Sequence, residues 1–596
     1  MSQTTPPGVD NYWNEYAADE WSDALVASMK LGGIDQLFFV SGSESAFLQE
    51  ATAKAAVKGT PAPKLITMIH ESVALNAALG ASMVTGKPTA TSSHVDVGTL
   101  HYGGAIHTAW RGGYPVLITG GTGPRAFPGS MRGSRGSPVQ WQQEPRDQAE
   151  IVRQFTKTDH RLEHIDNPGL IVSRLLQVAM SEPCGPVYLT MPRETAMLPL
   201  PGKIRFPTVQ QLGVARPISP DQDDAKAIAQ WLVKAQNPIL FTERVAHDPE
   251  AMAELIKLCE LLAIPVSESS NSDRMNFPTT HALYGTGPKS SEADVVLVFE
   301  SAAPWIPGVG SPPADAKIAW VSIDPVYSRL KTQEFRADLW IPATASRTAR
   351  ALFEAATSIL DKSDMSRIAE RRKRLEDKKR QMIAKAEELA IEAGKSGKPT
   401  GRWAAYQLGK LLEPDAIVLN DGISNGGFVH TYSRRTQPGT YFRSGSSTGG
   451  WGSGAAFGIK LSRPDQDVVL ATGDGYYSFG TPMAALWAAR HHKSPFLTMV
   501  FVNGSYSTGT TELRQAYPDG YAVKHGDYAG GSFDPPPNFA KYAEAVDGYG
   551  EYVTDVERVG PALQRGLEAV RRGSPAVVAV RVPGPLQEGM ANPSAK

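Results

Sequence analysis

Cysteine is nearly absent. The 596-residue chain holds two, Cys184 and Cys259, far apart in the apolar stretches SEPCGPVYL and IKLCELLA. Neither a disulfide framework nor a CxxC metal site can be built from them, and a cytosolic location is expected. An excess of either charge is missing too: 60 basic against 61 acidic side chains leave a formal net charge of −1. That balance gives no support to a nucleic-acid or membrane-surface partner, which needs a basic stripe. Apolar runs long enough to span a bilayer, roughly 18 residues, are lacking. The N-terminal MSQTTPPGVDNYW has no basic start followed by an apolar stretch, so no secretory signal is expected. Short-period repeats and low-complexity segments are absent as well.

What is present is an ordinary globular composition, 41% apolar and 20% charged. The length allows three to four domains at roughly 100–200 residues each. Apolar strand-like runs alternate with helical spacing in three blocks. Residues 12–195 carry QLFFVSG, KLITMIH, TATSSHV, YPVLITGG and GPVYLTMP. Residues 205–360 carry NPILFTE, IPVSES, ADVVLVFES and AKIAWVSID, and residues 401–590 carry DAIVLND, DVVLATGDG, FLTMVFVNG and PAVVAVRVP. Strands alternating with helices predict an α/β fold of three doubly wound parallel-sheet domains. Between the first two blocks, PLPGKIRFPTVQQLGVARPISP reads as a linker. Residues 361–400, charged with both signs at helical spacing, read as a solvated connecting helix.

The sharpest chemical feature is VVLATGDGYYSFGTPMAALWAARHHKSPFLTMVFVNGSYS. One strand ends at Gly473-Asp474-Gly475 and a second at Asn503, with a crossover helix between them. The carboxyl ends of two parallel strands are thereby brought together, at the edge where α/β sheets bind ligands. Mg²⁺ takes a few hard oxygen ligands and fills its octahedron with phosphate oxygens and water. Asp474 offers a carboxylate, Asn503 an amide oxygen, and the glycines let backbone N–H groups approach phosphate. A lone Gly-Asp-Gly is a common turn; the spacing and the strand–helix–strand context carry the reading.

On these residues the chain resembles the thiamine-diphosphate enzyme superfamily, which includes acetolactate synthase, benzoylformate decarboxylase, oxalyl-CoA decarboxylase and 2-hydroxyacyl-CoA lyases. The resemblance implies Mg²⁺ ligation by Asp474, Asn503 and the backbone carbonyl of Ser505. It implies diphosphate contacts from Gly473, Gly475, Tyr476 and Ser424. Asn503 matches the second Asn of the family's Asn-Asn pair, and Val502 stands where the first usually is. In KLITMIHESVALNAALG, Glu71 matches the glutamate that binds the cofactor's aminopyrimidine and activates its C2 carbon. In SSTGGWGSGAAFG, Ser447 and Gly449 match positions facing that ring. The family's bulky wedge is replaced at Gly449, so Trp451 or another residue has to supply it. A shifted motif is the alternative. Glu71 is expected to come from a partner chain, as a homodimer or dimer of dimers. In the middle block, Glu243 in PILFTERVAHD would repel a nucleotide phosphate, so FAD is not expected and ADP is left open.

The implied chemistry is cleavage or formation of a carbon–carbon bond through the C2 carbanion. The substrate is a small molecule, a 2-keto acid or a 2-hydroxyacyl-CoA. A 2-hydroxyacyl-CoA-lyase-like activity is favoured, with a 2-keto-acid decarboxylase or an acetolactate-synthase-like carboligase as alternatives. A noncatalytic relative or a nucleotide-binding protein is the alternative of another class. Candidate substrate residues are Ser43, Glu44, His94, Asp96, His101 and Phe127. Glu512 is the candidate proton shuttle. Arg125, Arg132 and Arg135 face either an anionic substrate or solvent.

Overall fold

The computed structural model describes residues 13–584. By density of internal contacts the chain divides into two units. The first holds the described residues up to 215 together with 453–464 and 480–494; the second holds 216–452, 465–479 and the described residues from 495.

The first unit contains strands β1 (Asn14–Glu20), β2 (Gln36–Phe39), β3 (Lys64–Thr67), β4 (Thr89–Ser93), β5 (Val116–Thr122), β6 (Asp159–Arg161), β7 (Val187–Pro192) and β8 (Pro199–Phe206). Six of them form a parallel sheet in the order β3-β2-β4-β5-β7-β6. Its central strands β4, β5 and β7 are buried along their whole length. That is why they read as unbroken runs rather than as an apolar–polar alternation. β1 and β8 pair antiparallel as a separate ribbon. The segment expected to be a plain linker therefore contains a strand: its prolines sit at the start and edge of a two-stranded ribbon, where a missing N–H is tolerated.

The second unit carries two parallel sheets. The middle one joins β9 (Pro238–Thr242), β10 (Val266–Glu268), β11 (Val295–Phe299), β12 (Lys317–Ser322) and β13 (Leu339–Pro342) in the order β10-β9-β11-β12-β13. The last joins β14 (Ile417–Asp421), β15 (Tyr441–Phe442), β16 (Val468–Gly473), β17 (Leu497–Val502), β18 (Tyr549–Val553) and β19 (Ala576–Arg581) in the order β15-β14-β16-β17-β19-β18. Counted along the chain, this order is the same as in the first unit's sheet. Each of the three sheets reverses its winding direction near its start, between β2 and β4, between β9 and β11, and between β14 and β16; the first and last turn back once more, at β6–β7 and β18–β19. At such reversals the loops diverge and leave a crevice at the carboxyl edge.

The charged run is a single helix, Lys362–Ala393, capped by Asp361. It is not simply solvated. Arg371, 4% exposed, donates to the carbonyls of Ala235, Ala263 and Leu262. Lys379 donates to those of Thr279 and Tyr284 at 2.7 and 2.9 Å. The long cationic side chains thus cap the ends of neighbouring elements while their stems pack on the core. No helix among the described residues is long and apolar enough to cross a membrane.

Candidate functional site

In the last sheet, register sets Asp421 opposite Thr472 and Gly473 opposite Phe501, so three strand ends meet at one edge. A small cavity of about 70 Å³ lies there, lined by Ser424, Gly473, Asp474, Gly475, Tyr476, Asn503 and Ser505. Asp474 is 2% exposed. One of its oxygens accepts the backbone N–H groups of Asn503 and Gly504 at 2.8 and 2.7 Å, the other that of Gly475 at 2.8 Å. Burial raises its pKa, opposed by these N–H groups and by Arg581. The Asn503 amide oxygen accepts the Ser505 N–H at 2.9 Å, which orients the amide.

The donors here are oxygens, one of them from a carboxylate, and the space in front of Gly473 is open: a Cβ there would meet nothing within 4 Å. Such a set fits Mg²⁺ shared with a diphosphate. Among the described residues no cluster of three or more His, Cys, Asp or Glu offers an alternative cage. Beside it, a larger cavity of about 930 Å³ is lined by Asn503, Ser505, Lys398, Arg402, Phe428 and Arg581, among others.

Ser447 does not line the small cavity. Gly449 lies against the Tyr476 ring, where a Cβ would come within 2.3 Å of a ring carbon. Tyr476 therefore fills the volume over Gly449, whereas Trp451 is wholly buried in the core. Glu512 stands exposed on the helix Ser507–Ala516, apart from both cavities' linings. Asp421, not singled out in the sequence, ends β14 with its carboxylate buried, accepting the N–H groups of Gly450 at 3.1 Å and Gly452 at 3.2 Å. Burial pushes its pKa up to about 7 against the pull of those two bonds. It holds the glycine turn to the strand end. Its signal was only the final letter of an apolar run.

In the first unit, Glu71 opens the helix Glu71–Thr85 and is 7% exposed. His101 Nδ1 stands 3.4 Å from its Oε2, and the His101 ring stacks on His70. Gly98 makes room for the carboxylate; a Cβ there would lie 2.9 Å from Glu71 Oε1 and 3.6 Å from the His94 Cβ. At the winding reversal between β2 and β4, Ser43, Glu44 and His94 come together. The Glu44 carboxylate is 1% exposed and bonds His94 Nε2. It accepts further hydrogen bonds from Ser43 Oγ at 2.5 Å and Gln140 Nε2 at 2.8 Å. Burial works to raise the Glu44 pKa, but these bonds, His94 first, hold it down at about 2. With Nε2 committed to Glu44, Nδ1 is the nitrogen of His94 left for a ligand.

Asp96 begins the short helix Asp96–Leu100, with Oδ1 buried and unbonded. It joins neither group. Phe127 is 79% exposed on its loop. Arg135 bonds the Pro124 carbonyl and Glu144, Arg125 pairs with Glu144, and Arg132 pairs with Glu20. Arg125 and Arg135 thus hold the loop to itself, and Arg132 ties it to β1 and to the Met197 carbonyl. In the middle sheet Glu243, 8% exposed, accepts hydrogen bonds from Ser301 Oγ and the Ala302 N–H across the reversal between β9 and β11.

Residues 19–151 match the family "Thiamine pyrophosphate enzyme, N-terminal TPP binding domain" and residues 423–580 match "Thiamine pyrophosphate enzyme, C-terminal TPP binding domain". The acetolactate synthase large subunit IlvG of Mycobacterium tuberculosis is 26% identical, covering 93% of this chain and 94% of that one. A 2-hydroxyacyl-CoA lyase of Arabidopsis thaliana is 23% identical, over 97% and 96%. Among solved structures, the 4-hydroxybenzoylformate decarboxylase of Rhodococcus jostii superposes with a TM-score of 0.74 at 20% identity, over 95% of this chain and 99% of that one, a likeness of fold. With both cofactor-binding families matched, one in the first block of the chain and one in the last, the chain belongs to the thiamine-diphosphate-dependent enzymes.

Proposed function

We propose that this enzyme is a Mg²⁺-dependent carbon–carbon lyase of the 2-hydroxyacyl-CoA-lyase kind. Asp474, Asn503 and the Ser505 carbonyl would hold the metal. Gly473, Gly475, Tyr476 and Ser424 would hold the diphosphate, and Glu71, Ser447 and Gly449 the aminopyrimidine. Bound thiamine diphosphate supplies a carbon nucleophile for a carbonyl group and a sink for the electrons of the breaking bond. Glu71, buried and beside His101, keeps a carboxyl where it can hydrogen-bond a ring nitrogen. The observation that carries the lyase reading is the 930 Å³ cavity beside Asn503 and Ser505. Its size is that of a site for a large ligand, and Lys398 and Arg402 give it positive charge for a long anionic acyl thioester, Arg581 being paired with Asp534 in the same lining.

A second reading, 2-keto-acid decarboxylation, is favoured by the Glu44–His94 pair. Because Glu44 stays ionised, it accepts the Nε2 proton, and His94 Nδ1 is free to carry one proton to or from the reacting group. In this reading His94, rather than the exposed Glu512, moves the proton. Glu243 closing its crevice supports the absence of FAD from the middle sheet. A cytosolic location and self-association belong to the same proposal.

The test offers 2-keto acids and 2-hydroxyacyl-CoA esters to the holoenzyme and follows CO₂, aldehyde and formyl-CoA. Formyl-CoA with aldehyde supports the lyase; CO₂ from short keto acids supports the decarboxylase. Glu71→Gln should lower turnover by about 10²-fold or more. Full turnover in that variant overturns both readings.

A further inference from the structure

Beyond the ends of β5, β6 and β7, the first unit has a cavity of about 270 Å³ that the cofactor chemistry does not use. Four guanidinium groups line it, those of Arg125, Arg146, Arg153 and Arg161, against three carboxylates. All three carboxylates are taken. Glu144 pairs with Arg125 at 2.7 Å and with Arg135, and Arg153 holds Asp147 at 2.6 Å and Asp159 at 3.0 Å. Arg146 pairs with no carboxylate among the described residues. Arg161 reaches only Glu163, outside the lining, at 3.6 Å and 56% exposed. Its side chain makes no hydrogen bond among the described residues, although a guanidinium carries five N–H donors. Burial and the nearby charge of Arg125 pull its pKa below the usual arginine value, against the opposing charges of Glu163, Glu194 and Glu144. A recess that concentrates unspent positive charge and planar donors is built for an anion with several oxygens.

We propose that this cavity binds a small phosphate-type dianion, taken by the fork of Arg161 with Arg146 at the mouth. The test titrates inorganic phosphate calorimetrically into the holoenzyme, already saturated with thiamine diphosphate and Mg²⁺ so that the diphosphate site is filled. One saturable event per chain is expected. Arg161→Gln and Arg146→Gln should each weaken it about tenfold, the scale of one charge-assisted hydrogen bond, while cofactor affinity stays unchanged. Glycerol 3-phosphate in a parallel arm separates the two sources of the ligand. Tighter binding than phosphate marks a phosphate monoester as the occupant, and equal or weaker binding marks the free anion. No saturable event up to about 10 mM phosphate overturns the site, as does an affinity that neither substitution changes. Should Arg161→Gln fail to fold, the exposed Arg146 decides the matter alone, and unchanged affinity in Arg146→Gln overturns the proposal.

Discussion

Two buried carboxyl groups with opposite shifts make separable predictions. Glu44 is held ionised by bonds from His94, Ser43 and Gln140, which commits the His94 Nε2 and leaves Nδ1 as its other nitrogen. Glu44→Gln removes the charge while keeping the shape, so turnover should fall by about 10–100-fold with little change in KM. A turnover equal to the wild type, measured at cofactor saturation, would sink the role given to His94. Asp421 runs the other way, with a pKa near 7 against about 3.9 in an unfolded chain. The folded state then binds the extra proton. Stability from this group is greatest below about pH 4, declines as pH rises to about 7, and is flat above. Asp421→Asn mimics the protonated acid. Urea titrations from pH 4 to 8 should lose that slope, and at pH 8 the variant should match or exceed the wild type, by up to roughly 2–4 kcal/mol. An unchanged slope would show that Asp421 is not its source.

At the scale of elements, the helix Gly452–Ser462 is fitted to the helix Glu71–Thr85 through glycine. A Cβ at Gly458 would stand 1.9 Å from the Ala77 carbonyl oxygen, and one at Gly80 would stand 2.2 Å from that of Ala455. Two backbones this close leave no room for a methyl group. Gly458→Val should cost about 2–4 kcal/mol, read as a fall in the urea midpoint with the slope unchanged. A midpoint equal to the wild type would refute the close fit. Such contacts explain what could and could not be read from the sequence. Gly473-Asp474-Gly475 and Asn503 announced themselves because each follows a buried apolar strand, and Glu71 because it opens a helix of small apolar residues. The burial of TATSSHV was readable as a run without charge. The pairing of Glu44 with His94 was not, because fifty residues separate them and only the adjacency of β2 and β4 joins them. Strands β6 and β15, three and two residues long, are too short for periodicity to register. Arg371 and Lys379 looked like solvent-facing charge because nothing local reveals a carbonyl donated by a distant element. The glycine at 449 became intelligible only once Tyr476 was found lying on it.

For the molecule as a whole, Glu71 belongs to the first unit and Asp474 to the second. If the working site joins Glu71 of one chain to Asp474 of another, two dead variants can repair each other. Co-expressed Glu71→Gln and Asp474→Asn chains should form hybrids with one intact site, recovering roughly a quarter of wild-type activity for random pairing of dimers. No recovery in hybrids isolated through two different tags would rule out sharing between chains. The three sheets follow one winding rule and therefore own three crevices of the same design. One holds a carboxyl–imidazole pair, one an open pocket walled by glycine, and the third is stoppered by Glu243 bonded to Ser301 and Ala302. A smaller residue at that position would open a berth in the middle sheet, and a lineage or an engineer could fit it with an effector while leaving Glu71, Asp474 and Asn503 in place.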